Sequence, residues 1–140
     1  MKMKEIARFG VSMDKELLDK FDEVISKKGY TTRSEAIRDL IRNLIVEEEW
    51  SQETGEVMGV VVTVYDHKQR ELCSKIVEKQ HHHTDNVICT LHIHIDEVHC
   101  MEITALKGTV KEVKELADEL RSFKGVKYSK FVKATTGSGL

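Results

Sequence analysis

The chain has 140 residues, a formal net charge of -2, 40% hydrophobic and 33% charged residues, and no proline, which describes one folded unit or two small ones and excludes fibrous and disordered classes. No apolar run exceeds about five residues against the roughly 20 needed to cross a bilayer, and the start MKMKEIARFG holds no apolar leader, so a cytoplasmic protein with no membrane partner is expected. Three cysteines without a CxxC pair do not make a disulfide framework and suit metal binding or catalysis better.

In chain order, Ile6 to Met13 alternates. Phe9, Val11 and Met13 fall on one side of an extended strand, and Arg8, Gly10 and Ser12 on the other. Asp14 is a good N-cap, and Leu17, Leu18, Phe21, Val24 and Ile25 then repeat at helical spacing until Gly29. Thr32 with Glu35 has capping-box form, and Ala36, Ile37, Leu40, Ile41, Leu44 and Ile45 make a second helical stripe. One strand and two helices in about 50 residues cannot build a core or satisfy their own strand edges. Pairing with the same strand of a second chain gives a two-stranded ribbon. The acidic, polar stretch Glu47–Glu56 ends this unit, so the expected division is 1–50 and 51–140.

The second unit reads as strand (Val57 to Asp66), helix (Lys68 to Gln80), strand (Val87 to Ile95), strand (Val98 to Leu106), helix (Thr109 to Phe123) and strand (Val126 to Val132). The fold class is α+β. The order βαββαβ predicts a ferredoxin-like layout, with two helices on one face of a four-stranded sheet and the other face open. The tail from Thr135 is expected to be flexible. Charge divides with the units: residues 1–46 carry 10 Lys/Arg against 8 Asp/Glu, and residues 47–140 carry 12 against 16.

Six of the seven histidines and two of the three cysteines lie between His81 and Cys100. In VICTLHIHI, alternation puts Thr90, His92 and His94 on one face, and in the next strand it puts Cys100, Glu102 and Thr104 on one face. The polar character of these rows assigns both to the open side, where the short Asp96-Glu97 turn brings Cys100 beside His94. A fourth ligand is offered by His81, His82 or His83. These follow the first helix of the unit, across the sheet from the other three, so a second chain is expected to supply it. Cys89 and His99 have inward parity and Cys73 reads as helix packing, whereas His67 reads as a surface residue. Imidazole with thiolate suits Zn, Ni, Cu or Co, and geometry decides among them.

A two-stranded ribbon fits the major groove of double-stranded DNA, where Arg8 can donate two hydrogen bonds to guanine and Ser12 can add a contact; Gly10 offers only backbone. Thr32, Arg33 and Ser34 open the second helix with free N–H groups and a cation suited to a backbone phosphate. Glu35 and Asp39, at i and i+4, share one side of that helix and could hold a cation.

The segments RFGVSMDKELLDKFDEVISKKGYTTRSEAIRDLIRNLI, QHHH, LHIHID and the cysteine six residues after His94 together resemble the NikR family, nickel-responsive ribbon-helix-helix regulators, over essentially the whole chain. The resemblance implies a homotetramer, a dimer of dimers with ribbon-helix-helix domains flanking four ACT-like domains. It implies Ni2+ bound in square-planar array by His92, His94 and Cys100 of one subunit and His81 of another. It implies base reading by Arg8, Gly10 and Ser12, a secondary cation site at Glu35 and Asp39, and repression of nickel-uptake genes through operator DNA. Competing expectations are a zinc or cobalt sensor on the same ligands, an ACT-type small-molecule-responsive repressor, and a hydrolytic metal enzyme using Glu102.

Overall fold

The computed structural model describes residues 5–66, 68, 70–83 and 85–140, and their side chains except those of 70–74 and 80. His67 therefore lies outside the described residues, as does the side chain of Cys73. The chain divides into two compact units, Met1–Ile41 and Arg42–Leu140.

In the first unit the described residues form two helices and no strand. The strand expected over Ile6 to Met13 is absent: a strand exists only through a ladder with another strand, and this unit offers none within one chain. Its apolar side is in water, with Ile6 87% and Phe9 70% exposed. Helix α1 (Lys15–Lys27) starts where expected, the Asp14 side chain accepting the Leu17 N–H at 2.8 Å. It ends in a Schellman arrangement: Gly29 N–H donates to Ser26 O and Tyr30 N–H to Ile25 O, both at 3.0 Å. Gly29 has φ +83°, a conformation that costs a residue with a Cβ. Helix α2 spans Arg33–Ser51. Thr32 caps it by accepting the Glu35 N–H at 3.1 Å, while the Glu35 carboxylate accepts the Thr31 hydroxyl at 2.8 Å. Among the described residues of this unit only Ile25 and Ala36 are buried hydrophobics; Val11, Leu17, Val24 and Leu40 are exposed.

The second unit contains β1 (Glu56–Asp66), α3 (Arg70–His82), β2 (Val87–His94), β3 (His99–Thr109), α4 (Val110–Ser122) and β4 (Val126–Ala134). The sheet is antiparallel with order β2-β3-β1-β4, the ferredoxin-like topology that the element order predicts. Along β1, every second residue from Val57 to Tyr65 is buried, and Val57, Val61 and Tyr65 share one core with Val113, Leu116, Ala117 and Leu120 of α4. Gly59 permits this approach, since a Cβ there would stand 2.6 Å from Phe131 Cε2 and 3.1 Å from Val113 Cγ1. A capping box of Thr109 and Glu112 starts α4. Hydrogen bonds from Thr109 hold the Glu112 carboxyl below its ordinary pKa.

The acidic stretch after Val46, read from sequence as the end of the first unit, is helical in its first part. It continues α2 to Ser51, and Trp50 is buried in the second core with Val46 packed against it. The spacing of Val46 and Trp50 puts both on one helix face, while Glu47 and Glu48 occupy exposed positions where glutamate is a good helix former. The tail carries local turns, with Gly137 N–H donating to Thr135 Oγ1 at 3.0 Å.

Candidate metal centre

Cross-strand partners in an antiparallel sheet share a face. In the β2–β3 ladder His94 is opposite Cys100 and His92 opposite Glu102, and in the β1–β3 ladder Tyr65 is opposite Cys100 and Thr63 opposite Glu102. Register alone thus gathers His92, His94, Cys100, Glu102 and Tyr65. One ligand atom from each of His92, His94 and Cys100 lies within 4.8 Å of the others. Cys100 Sγ stands 3.5 Å from His94 Nδ1, and the two imidazole centroids are 4.9 Å apart. This is the one group of three or more metal-ligand side chains among the described residues.

The face is the reverse of the expected one. Cys100, Glu102 and Thr104 are buried on the helix-facing side with Tyr65 and Val61, whereas Met101, Ile103 and Ala105 are half-buried on the other side and Cys89 is exposed. Both phases of β3 contain apolar residues, so polarity was a poor guide. Leu106, fully buried on the same phase as Cys100, fixes the strand's orientation. The polar row tolerates burial because neighbouring strands supply partners, Tyr65 for Glu102 and His94 for Cys100. The premise that His81 lies across the sheet from the other ligands falls with this inversion. Helix α3 joins the same core through Ile76 and pairs Lys79 with Glu119 of α4. His81 is exposed in the last turn of α3 and stands outside the three-ligand group.

Glu102 and Tyr65 form the support behind the ligands. The Tyr65 hydroxyl donates to Glu102 Oε2 at 2.8 Å, and His92 Nδ1 lies 3.4 Å from that oxygen and 3.3 Å from the hydroxyl. A proton on Nδ1 directed at this pair leaves the Nε2 lone pair for a metal, the usual way a carboxylate orients a ligating imidazole. Nothing in the sequence distinguished Tyr65 from a core tyrosine; its position opposite Cys100 is the signal, and it needs the β1–β3 register. Two imidazoles and a buried thiol are a donor set suited to nickel, zinc, cobalt or copper, so the residues present fit such an ion.

His99 belongs to a different group. Its Nδ1 is 2.8 Å from Asp96 Oδ2 and its Nε2 is 3.1 Å from Lys127 Nζ. The Asp96 carboxyl also accepts the backbone N–H groups of Val98 and His99, both at 2.7 Å. The His99 side chain, followed by these amides, holds it far below the ordinary carboxylate range. The Asp96 turn thereby fixes the hairpin that presents His94 and Cys100.

In the first unit, Arg8, Gly10 and Ser12 are exposed, and a Cβ at Gly10 would meet nothing within 4 Å. Thr32, Arg33 and Ser34 are exposed at the start of α2. Arg33, expected to present a cation to a backbone phosphate, is paired with Asp22 of α1 through two bonds, Nε to Oδ1 at 2.7 Å and Nη2 to Oδ2 at 2.6 Å. The pairing lowers the Asp22 pKa and raises that of Arg33. Asp39 accepts the Tyr30 hydroxyl at 2.9 Å, which raises the tyrosine's pKa, and Glu35 is engaged by Thr31.

Among the described residues no helix is long and apolar enough to cross a membrane. The family model for the NikR C-terminal nickel-binding domain matches residues 58–134, and that for ribbon-helix-helix proteins of the copG family matches residues 7–48. A protein of Geobacter sulfurreducens whose name assigns it to the nickel-responsive regulators is 51% identical over 138 residues, 99% of each chain. Similarly named proteins of Caldanaerobacter subterraneus subsp. tengcongensis (49% over 135 residues, 96% of this chain and 88% of that one) and Pyrococcus furiosus (47% over 132 residues, 94% and 96%) are comparable. Among solved structures, an uncharacterized protein of Thermotoga maritima superposes with a TM-score of 0.51 at 15% identity, covering 56% of this chain and 98% of that one. This last likeness concerns the fold alone.

Proposed function

This chain belongs to the NikR family of nickel-responsive regulators, and from that premise we propose that it is a repressor whose nickel-loaded form binds operator DNA and shuts off nickel uptake. The observation that carries the reading is the convergence of His92, His94 and Cys100 within 4.8 Å in a chain whose other unit is a ribbon-helix-helix domain. Those three residues hold the ion, and His81 of a second copy completes the set. Nickel, when bound, supplies an electrophilic centre that joins donors from two chains. Within one chain, Cys100 contributes the negative ligand, His94 flanks it through Nδ1, and the Glu102–Tyr65 pair orients His92.

Two surfaces support assembly as a homotetramer, a dimer of dimers. The ribbon segment leaves Phe9 and Val11 in water, and α1 and α2 leave Leu17 and Leu40 there; a second copy would cover them while pairing the strands. The open sheet face, with Leu91 and Tyr128 exposed and Ile103 and Val62 half-buried, is apolar enough to need a partner too. In the paired ribbon, Arg8, Gly10 and Ser12 face the base edges. Thr32, Arg33 and Ser34 meet the phosphates, Arg33 exchanging Asp22 for a phosphate oxygen, and Glu35 and Asp39 form the secondary cation site. The first unit is the DNA-binding and dimerisation domain, the second the nickel-binding and tetramerisation domain. The protein works in the cytoplasm as a regulator and not a catalyst.

The test compares the parent with Cys100→Ala and His92→Ala. Both variants should keep the fold, read by circular dichroism, and lose nickel-dependent DNA binding; an unchanged nickel response in either contradicts the ligand assignment.

A further inference from the structure

Helix α2 is one uninterrupted helix of 19 residues, and the division between the two compact units falls inside it, after Ile41. On the N-terminal side of that division its apolar residues Leu40 and Ile41 are exposed, and beyond it so is Leu44. The last turn is different. Trp50 is 2% exposed, its Nε1–H donates to the Ala134 carbonyl at 2.8 Å, and its ring meets Phe131 edge-on at 5.5 Å between centroids. Lys133 Nζ lies 5.8 Å from the ring centroid on β4. An indole held by its edge, its ring and its N–H has little freedom to slide or turn. Phe131 is paired with Val61, and Val61 with Thr104, so the tryptophan is seated on the same buried sheet face that carries Cys100 and Glu102.

From this we infer that Trp50 is a positioning residue for nickel-dependent DNA binding: it clamps the last turn of α2 to the sheet face that carries Cys100 and Glu102. The inference rests on the proposed function above and adds a residue that touches neither metal nor DNA. A helix clamped at one end transmits only while it stays helical up to the clamp. Glu47 and Glu48 are exposed positions just before Trp50, so glycines there loosen the helix without touching the buried indole.

The measurement takes the full chain and the DNA that the nickel-loaded parent selects from a random duplex pool. Affinity for that DNA is read with nickel and with a chelator, alongside nickel affinity by competition titration, for the parent, Trp50→Ala and the double variant Glu47→Gly/Glu48→Gly. In both variants nickel affinity stays within about twofold of the parent, while the nickel-induced gain in DNA affinity falls by about tenfold or more, within the usual range of coupling between sites. As the chain has one tryptophan, retained blue-shifted emission and weak acrylamide quenching verify that the double variant keeps the indole buried. A parent-like gain in either folded variant overturns the inference, and so does a parallel loss of nickel affinity, which would make Trp50 a prop of the sheet. If Trp50→Ala does not fold, the double variant decides. A parent that shows no nickel-induced gain refutes the proposed function itself and is visible before any variant is made.

Discussion

Replacing Glu102 with glutamine separates metal support from fold stability, because the two should move in different directions. Glu102 is 3% exposed, accepts the Tyr65 hydroxyl at 2.8 Å and lies 3.4 Å from His92 Nδ1. As a carboxylate it can only accept, so it favours the His92 tautomer with the proton on Nδ1 and the lone pair on Nε2. A glutamine of the same size can turn its amide N–H toward Nδ1, which favours the other tautomer and occupies the lone pair that the metal needs with a proton. Loss of such a carboxylate partner typically costs 10–100-fold in metal affinity, or about 1.4–2.7 kcal/mol. The metal-free protein should respond otherwise, since glutamine keeps the volume while removing the desolvation cost of a buried charge. Nickel affinity by competition with a chromophoric chelator and the thermal midpoint of metal-free protein test the two halves. A nickel affinity within about twofold of the parent would refute the orienting role, and equal losses of affinity and metal-free stability would reduce Glu102 to a packing residue.

Tyr65→Phe removes only the hydroxyl that holds the carboxylate, so its loss in the same nickel titration should be smaller than that of Glu102→Gln. Gly59→Ala pushes a methyl to within 2.6 Å of Phe131 and 3.1 Å of Val113; such overpacking costs about 1–3 kcal/mol and should appear as a lower denaturation midpoint in urea. Asp22 and Glu112 both have lowered pKa values in the folded chain, so the unfolded chain binds more protons in acid. Their contribution is complete above the ordinary carboxylate range of about 4 and is lost as pH falls through the folded values; in an acid titration Asp22→Asn should flatten that limb slightly, as both groups are exposed. Chelating nickel should lower the thermal midpoint of the parent, with stabilisation of about 2.7 kcal/mol at a free nickel concentration 100 times the dissociation constant, and should leave Cys100→Ala unmoved.

The legible parts of this chain are those written in short-range pattern. Asp14, Gly29 and Thr109 mark helix ends by local chemistry, and the order of apolar stripes gives βαββαβ without tertiary information. The spacing of His92, His94 and Cys100 puts the three together by hairpin register, which a short turn fixes. The side of the sheet they occupy was not legible, because the row Cys100, Glu102 and Thr104 is polar yet is the buried one. Trp50 escaped for a related reason: the acidic run before it reads as a boundary between units, yet Glu47 and Glu48 are exposed on a helix whose other side carries Val46. The Arg33–Asp22 pair joins residues of different helices and needs the α1–α2 turn to be seen. The ribbon strand cannot appear in one chain at all, since its hydrogen bonds belong to two.

Nickel is proposed to turn this chain into a sequence-specific DNA binder, and selection of bound duplexes from a random pool is the decisive measurement. Metal-free protein is divided between added nickel and a chelator, and the recovered DNA is sequenced. A nickel-activated repressor should enrich a two-fold-symmetric site only with nickel. The same site recovered with the chelator, or no site with nickel, would contradict it.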